Sequence, residues 1–309
     1  MKAFSKREKP KESIALTAFM VTLNVILNAA NTYLPFIGYF FACFLPLIST
    51  IYVLNTKIKY YPIYFIATIA LAIASTPLNF SYTLLYLLPS LFCGLMYAAC
   101  VNKKMEAELS YFYCTVIMFL VEIITIPLID LIYSTNTIEN LLTIFAINNL
   151  QYIHLFIYGI IFLANALKEY FAYLVTKDEL QKLSYKMEET QYCSMHLLVM
   201  TLIFSLMTFA FGFIKLYDFA FLFFSFTIIS SILILYKLIS LHKTSVNLLI
   251  IGVFIVSWFI YVFYAQMQNE YILSLIMLDV FPIFLVIISV IKYINRLMAL
   301  REAGEEKAQ

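Results

Sequence analysis

A chain of 309 residues that is 63% hydrophobic and only 12% charged lies outside the composition of a soluble domain, where roughly a quarter of residues carry charge. Apolar runs of about 20 residues recur along the whole length, which predicts an all-α, polytopic transmembrane helical bundle in contact with the lipid bilayer; the ~10-residue alternating segments of an outer-membrane barrel are missing. A formal net charge of +2 gives no reason to expect a nucleic-acid partner, and lysine outnumbers arginine 17 to 3, in the manner of an AT-rich bacterial genome.

The opening "MKAFSKREKPKESIALTAF" has the basic-then-apolar order of a signal peptide, and "LNAAN" imitates a cleavage site. The apolar segment is too long and further spans follow, so an uncleaved first helix is expected. Apolar runs between charges predict ten helices, near 14–34, 36–54, 62–78, 82–101, 110–132, 150–170, 195–214, 219–237, 246–265 and 271–292. With the N-terminus in the cytoplasm, the inner segments hold 19 of the 20 basic residues, and only Lys215 falls outside. One helix more or fewer would put later clusters on the wrong side. The expectation is therefore ten spans in a bacterial cell membrane, with both termini cytoplasmic.

The first helix carries a polar stripe. At 100° per residue Asn24, Asn28 and Asn31 fall within about 60° of one another, with Thr17 one heptad behind Asn24. An unpaired amide in hydrocarbon costs several kcal/mol, so the stripe faces either other protein or a water-filled cavity. Ionisable residues inside spans are few: Glu122 in the fifth helix, His154 in the sixth and Asp279 in the tenth, each a site hypothesis by default. At 1.5 Å per residue, Asn24, Asn31 and Glu122 lie about 15, 26 and 18 Å from the inner end, and His154 and Asp279 about 6 and 12 Å from the outer end. Together with Asp130 near the outer end of helix five, they suit a polar cavity open to the outside; isolated structural hydrogen bonds are the alternative. Prolines 46, 77, 89, 127 and 282 lie within or at the ends of spans, where they kink helices and free carbonyls. Close helix contacts are expected at Ala70-x-x-x-Ala74 and Gly94-x-x-x-Ala98.

Outside, "YSTNTIENLLTIFAINNLQY" (Tyr133–Tyr152) spaces Ile138, Leu141, Leu142 and Phe145 as a surface-lying amphipathic helix or a lid. Inside, "VTKDELQKLSYKMEETQ" follows the sixth span. Thr176 with Glu179 fits a capping box and Val175 with Leu180 a hydrophobic staple, so a helix is expected to restart over 177–190. Its apolar face, Leu180, Leu183 and Met187, belongs either to a surface connector or to a partner-docking element. The organisation read from these features is a cytoplasmic tail (1–13), a six-helix domain (14–170), an amphipathic linker helix (171–194), a four-helix domain (195–292) and a second cytoplasmic tail (293–309).

Cys43, Cys93, Cys100, Cys114 and Cys193 all lie in or beside apolar spans without a Cys-x-x-Cys pair, and read as small buried hydrophobes rather than disulfides or metal ligands. His-Glu-x-x-His, Gly-x-Ser-x-Gly, Gly-x-Gly-Asp and Walker signatures are missing, so no enzyme, cofactor or metal is expected.

The run "IALTAFMVTLNVILNAANTYLPFIGYFFACFLPLISTIYVL", followed by a basic turn and later by "LLPSLFCGLMYAACVNKK", resembles the YybS-like integral membrane family over residues 12–170. The N-terminal half of that family looks like the substrate-binding S component of energy-coupling-factor transporters. The resemblance implies a small ligand bound from the outer side between helices one, five and six, with ATPase and T-component subunits as partners. In S components an Ala-x-x-x-Ala pattern on the first helix meets the T component; here Ala15 and Ala18 stand three apart. The first outer connection, "TYLPFIG", sits where S components use a loop to cover their ligand. The rival reading is a cell-envelope scaffold or membrane partner protein without transport activity, its polar residues holding helices together.

Overall fold

The computed structural model describes residues 10–34, 37–136, 153–185, 187, 194–214, 216–240, 282–291, 293, 294 and 298, and among these no strand occurs. Among the described residues seven helical segments are long and apolar enough to cross a bilayer: Glu12–Tyr33, Gly38–Asn55, Ile58–Ser75, Pro77–Asn102, Ala107–Tyr133, Met195–Phe213 and Phe219–Leu238. The chain is thus a helical, multi-pass membrane protein. These segments match expected spans one to five, seven and eight. The ninth lies outside the described residues, as do most of the tenth, the outer segment 137–152 and Cys193.

The chain divides into two compact units, one of residues 1–148 with 164–189 and one of 149–163 with 190–309. In the first, α1 (Pro10–Tyr33) begins with proline at its first position and Glu12 in its first turn, both favourable at a helix N-terminus. Its polarity is inverted relative to a soluble helix. Ile14, Phe19 and Ile26 are exposed, whereas Ser13, Asn24, Asn28 and Asn31 are buried beside Leu16, Met20 and Val21. Lipid accepts the apolar face, and protein must take the polar one.

Expected helix 36–54 is two helices, α2 (Gly38–Ala42) and α3 (Leu45–Asn55). The break at Cys43 and Phe44 precedes Pro46, which fits only in the first turn of a helix. Pro62 opens α4 (Tyr61–Ser75) in the same way. The fourth span starts earlier than expected, with a 3₁₀ turn (Pro77–Asn79) and α5 (Phe80–Tyr82). A π turn (Thr83–Leu87) then leads into α6 (Leu88–Asn102), whose first turn holds Pro89. Helix α7 (Ala107–Tyr133) carries Pro127 inside and ends on Ser134 in the left-handed conformation, φ 52°.

Helix α3 packs on α6, and α6 on α7. At the α3–α6 crossing Gly94 and Ala98 are buried, as the small-residue pattern predicts. Ala70 and Ala74 are exposed, however, and α4 turns Tyr64, Thr68 and Ala72 inward instead. That pattern failed because small residues are as acceptable to lipid as to a helix neighbour. Fully buried Tyr52, Tyr64, Tyr97, Phe112, Leu87, Leu91 and Met118 fill this unit.

In the place of the expected sixth span stands α8 (Ile153–Lys182), 30 residues that supply their first part to the second unit and the remainder to the first. The expected helix restart at 177 does not occur. Thr176 is buried within an uninterrupted helix. No proline or glycine stands between Gly159 and Lys182 to end it, so the Thr-x-x-Glu spacing lies in a helix interior. The chain leaves α8 at Ser184, which takes a left-handed φ of 67°. In the second unit α9 (Met195–Phe213), capped by the Ser194 side chain, pairs with α10 (Tyr217–Ser240). Phenylalanines interlock there: Phe211 stacks on Phe223 at 5.4 Å, and Phe226 stands edge-on to Phe162 of α8 at 4.3 Å. A short apolar helix, α11 (Pro282–Ile291), falls within the expected tenth span.

Gly94 tests the α3–α6 contact. A Cβ there would lie 2.8 Å from the Pro46 carbonyl oxygen and 3.0 Å from the Thr50 nitrogen, both backbone atoms. Gly94→Ala is expected to lower stability by about 1–3 kcal/mol despite its better helix propensity, measured as the unfolding midpoint of purified protein.

Candidate functional site

The asparagine stripe is the buried face of α1, and it meets three later segments. Asn24 donates to the Tyr64 hydroxyl of α4 and at 3.5 Å to Ser49 Oγ of α3. Asn28 donates at 2.9 Å to Thr83 Oγ1 in the π turn, which lies 3.3 Å from Thr76 Oγ1. Thr17 extends the line, 2.9 Å from the Tyr52 hydroxyl, and the Tyr52 and Tyr64 rings stack at 4.1 Å. The backbone of Asn31 lies so close to Gly38 that a Cβ would overlap it. Part of the amide capacity is left over: Asn24 Oδ1, Asn28 Oδ1 and Asn31 Nδ2 are buried without a hydrogen-bond partner among the described residues.

Glu122 occupies a second polar centre in the same unit. One carboxylate oxygen meets Lys168 Nζ at 2.8 Å, and the other accepts from Asn165 Nδ2 at 2.7 Å. Both charged side chains are nearly covered, 14% and 13% exposed, so this is an ion pair in a low-dielectric setting. The Lys168 ammonium also donates at 3.1 Å to the Leu85 carbonyl and sits 4.5 Å from the centre of the Tyr86 ring. Pro89 explains that carbonyl, because it has no N–H to offer the residue four places earlier. Tyr86 in turn meets Tyr39 of α2 edge-on and stacks with Tyr82. The centre thus combines fixed charge of both signs, an amide and aromatic faces.

Asp130 and the expected docking residues lie apart from these two centres. Asp130 lies two turns beyond Glu122 on α7, where its carboxylate accepts from Thr135 Oγ1 at 3.0 Å beside the helix end. The side chain of His154 and all of Asp279 fall outside the described residues. Ala15 and Ala18 are on the exposed face of α1. Of the proposed docking face, Leu180 and Met187 are buried in the chain itself, Met187 Sδ accepting from Ser110 Oγ at 3.6 Å, while Leu183 is half-buried. Tyr185, whose phenol burial pushes above its ordinary range, donates at 3.2 Å to Asn55 Oδ1 and ties this segment to the end of α3. The face is spent on intramolecular packing rather than held open.

Lys168 and Asn165 were missed because a lysine near the end of an apolar run reads as a cytoplasmic flank. Their i,i+3 spacing was the available signal, since it puts both on one side of α8. Comparisons with protein-family models, curated proteins and solved structures find no significant match.

The ion pair gives a direct test. Lys168→Met leaves the Glu122 carboxylate buried without its cation and is expected to cost about 3 kcal/mol, whereas Glu122→Leu combined with Lys168→Met recovers most of the loss. Unfolding midpoints of the single and double variants measure this; a double variant as unstable as the sum of the singles would contradict the pairing.

Proposed function

We propose that the first unit binds a small polar solute from the outer side of a bacterial cell membrane, in the manner of an S component, for uptake with ATPase and T-component subunits. The observation that carries this reading is the set of three buried, unpartnered amide atoms, Asn24 Oδ1, Asn28 Oδ1 and Asn31 Nδ2, on one stripe of α1. Each unmet group costs about 1–3 kcal/mol, so two acceptors and a donor along one face call for a polar occupant. The Glu122–Lys168–Asn165 centre, with Tyr86 and Tyr39, adds the charged and aromatic groups that fix a solute's orientation. Exposed Ala15 and Ala18 are the surface offered to a T component. In this reading the chain crosses ten times with both ends inside, as a six-helix domain followed by a four-helix domain.

A scaffold or membrane partner without transport is the second reading. It is favoured by the Asn24 and Asn28 amide donors, which already bind α1 to Tyr64, Ser49 and Thr83.

Asn28→Leu separates the two. If the stripe lines a site, a vitamin, nucleobase or similar polar solute should raise the unfolding midpoint of the purified wild type, and its affinity should fall by about 1–3 kcal/mol in the variant. A wild type stabilised by no such solute, with a variant of lowered midpoint, would leave the scaffold.

Topology is checked by single cysteines in a background without reactive thiols. Replacements at Asn136 and Gln268 are expected to label from outside with an impermeant reagent, and those at Lys103, Lys182 and Glu305 to stay unlabelled in intact cells. Outside labelling at 182 would overturn the ten-span arrangement.

A further inference from the structure

Cys93 of α6, Cys114 of α7 and Glu169 of α8 lie in one unit, and their two sulfurs and one carboxylate oxygen fall within 4.8 Å of one another. All three residues are fully buried. Two buried cysteines at a helix crossing have an ordinary explanation, since each thiol points at the other's backbone: Cys93 Sγ to the Cys114 carbonyl at 3.5 Å, and Cys114 Sγ to the Cys93 carbonyl at 3.7 Å. Glu169 does not share it. A carboxyl group in the interior of a membrane protein is costly and needs both oxygens met. Tyr97, itself fully buried, donates to Oε1, while Oε2 has no hydrogen-bond partner among the described residues.

We infer that Cys93, Cys114 and Glu169 form a binding site for a thiophilic divalent cation of the Zn²⁺ class, with Tyr97 as the positioning residue that holds the carboxylate. Tetrahedral Zn²⁺ has Zn–S near 2.3 Å and Zn–O near 2.0 Å, which sets its ligands about 3.5–3.8 Å apart. Atoms already within 4.8 Å of one another lie within about 1 Å of that spacing. Two thiolates and a carboxylate neutralise a divalent ion to a net charge of −1, and the thiol protons leave as it binds. Sulfur ligands exclude Mg²⁺ and Ca²⁺, which take oxygen. Three protein ligands leave a fourth position for water, as in sites that exchange a ligand rather than in closed structural ones. The Tyr97 hydroxyl donates to Oε1 of the carboxylate, and a hydrogen bond of this kind orients a metal ligand.

The test uses full-length protein in detergent, reduced, freed of reductant and exposed to Zn²⁺ or Cd²⁺ alone. One ion per chain should remain after passage over a desalting column, and Cd²⁺ should produce the ultraviolet thiolate-to-metal band. Cys93→Ser and Cys114→Ser should each weaken Zn²⁺ by roughly a hundredfold or more, and Tyr97→Phe by about tenfold with the Cd²⁺ band retained. Cys43→Ser, at a buried thiol outside the group, should change nothing. Should the cysteine variants fail to fold, X-ray absorption of the Zn²⁺-loaded wild type decides: two sulfurs and lighter ligands in the inner shell support the site. Retention of no ion, or an inner shell without sulfur, overturns it.

Discussion

Lipid gives a helix nothing to hydrogen-bond with and supplies no hydrophobic force to press one apolar helix on another. The first unit depends on that constraint. Its helices are joined where polar atoms have nowhere else to go, and α1 supplies one row of them: its amides reach α3, α4 and the π turn before α6. Close approach does the rest, as at Gly94, where α6 lies against the Pro46 carbonyl and Ser49. The large side chains between these points fill space that the polar contacts have defined.

Prolines act through the same constraint. One set in a continuing helix takes away an N–H and leaves a carbonyl to be met from elsewhere. The carbonyl freed by Pro89 belongs to Leu85, and it receives the Lys168 ammonium. A lysine brought that far into the bundle then needs a counter-charge, which Glu122 supplies, and Asn165 meets the remaining carboxylate oxygen. A backbone defect, a cation and an anion are therefore one linked arrangement across α6, α7 and α8 and the turn before them.

Much of this was legible in the sequence where the rule concerned one helix at a time. The stripe Asn24, Asn28 and Asn31 is a statement about 100° steps, and all three residues are buried. Proline breaks were foreseeable for the same reason. Partners were not. Glu122 was identified as a costly charge, but its cation stands 46 positions away on another helix, and nothing local distinguishes Lys168 from a flanking lysine. Thr176 and Glu179 have the spacing of a helix start, yet a helix already running continues through favourable residues, so a cap motif has meaning only where the chain enters from outside. The cysteines were passed over because spacing along the chain says nothing of two helices that cross, and Glu169 was hidden among the charges at the end of an apolar run.

The amide row also bears on how the chain is made. Synthesis runs from the N-terminus, so α1 is complete before the groups it binds have been translated. Asn24 waits 25 residues for Ser49 and 40 for Tyr64, and Asn28 waits 55 for Thr83. Until then these amides lack the protein partners that the finished unit gives them, and an unmet amide is costly among acyl chains. Asn24 gains its partners with the second and third spans and Asn28 only with the fourth, so the polar seam of α1 closes in the order in which the chain is made.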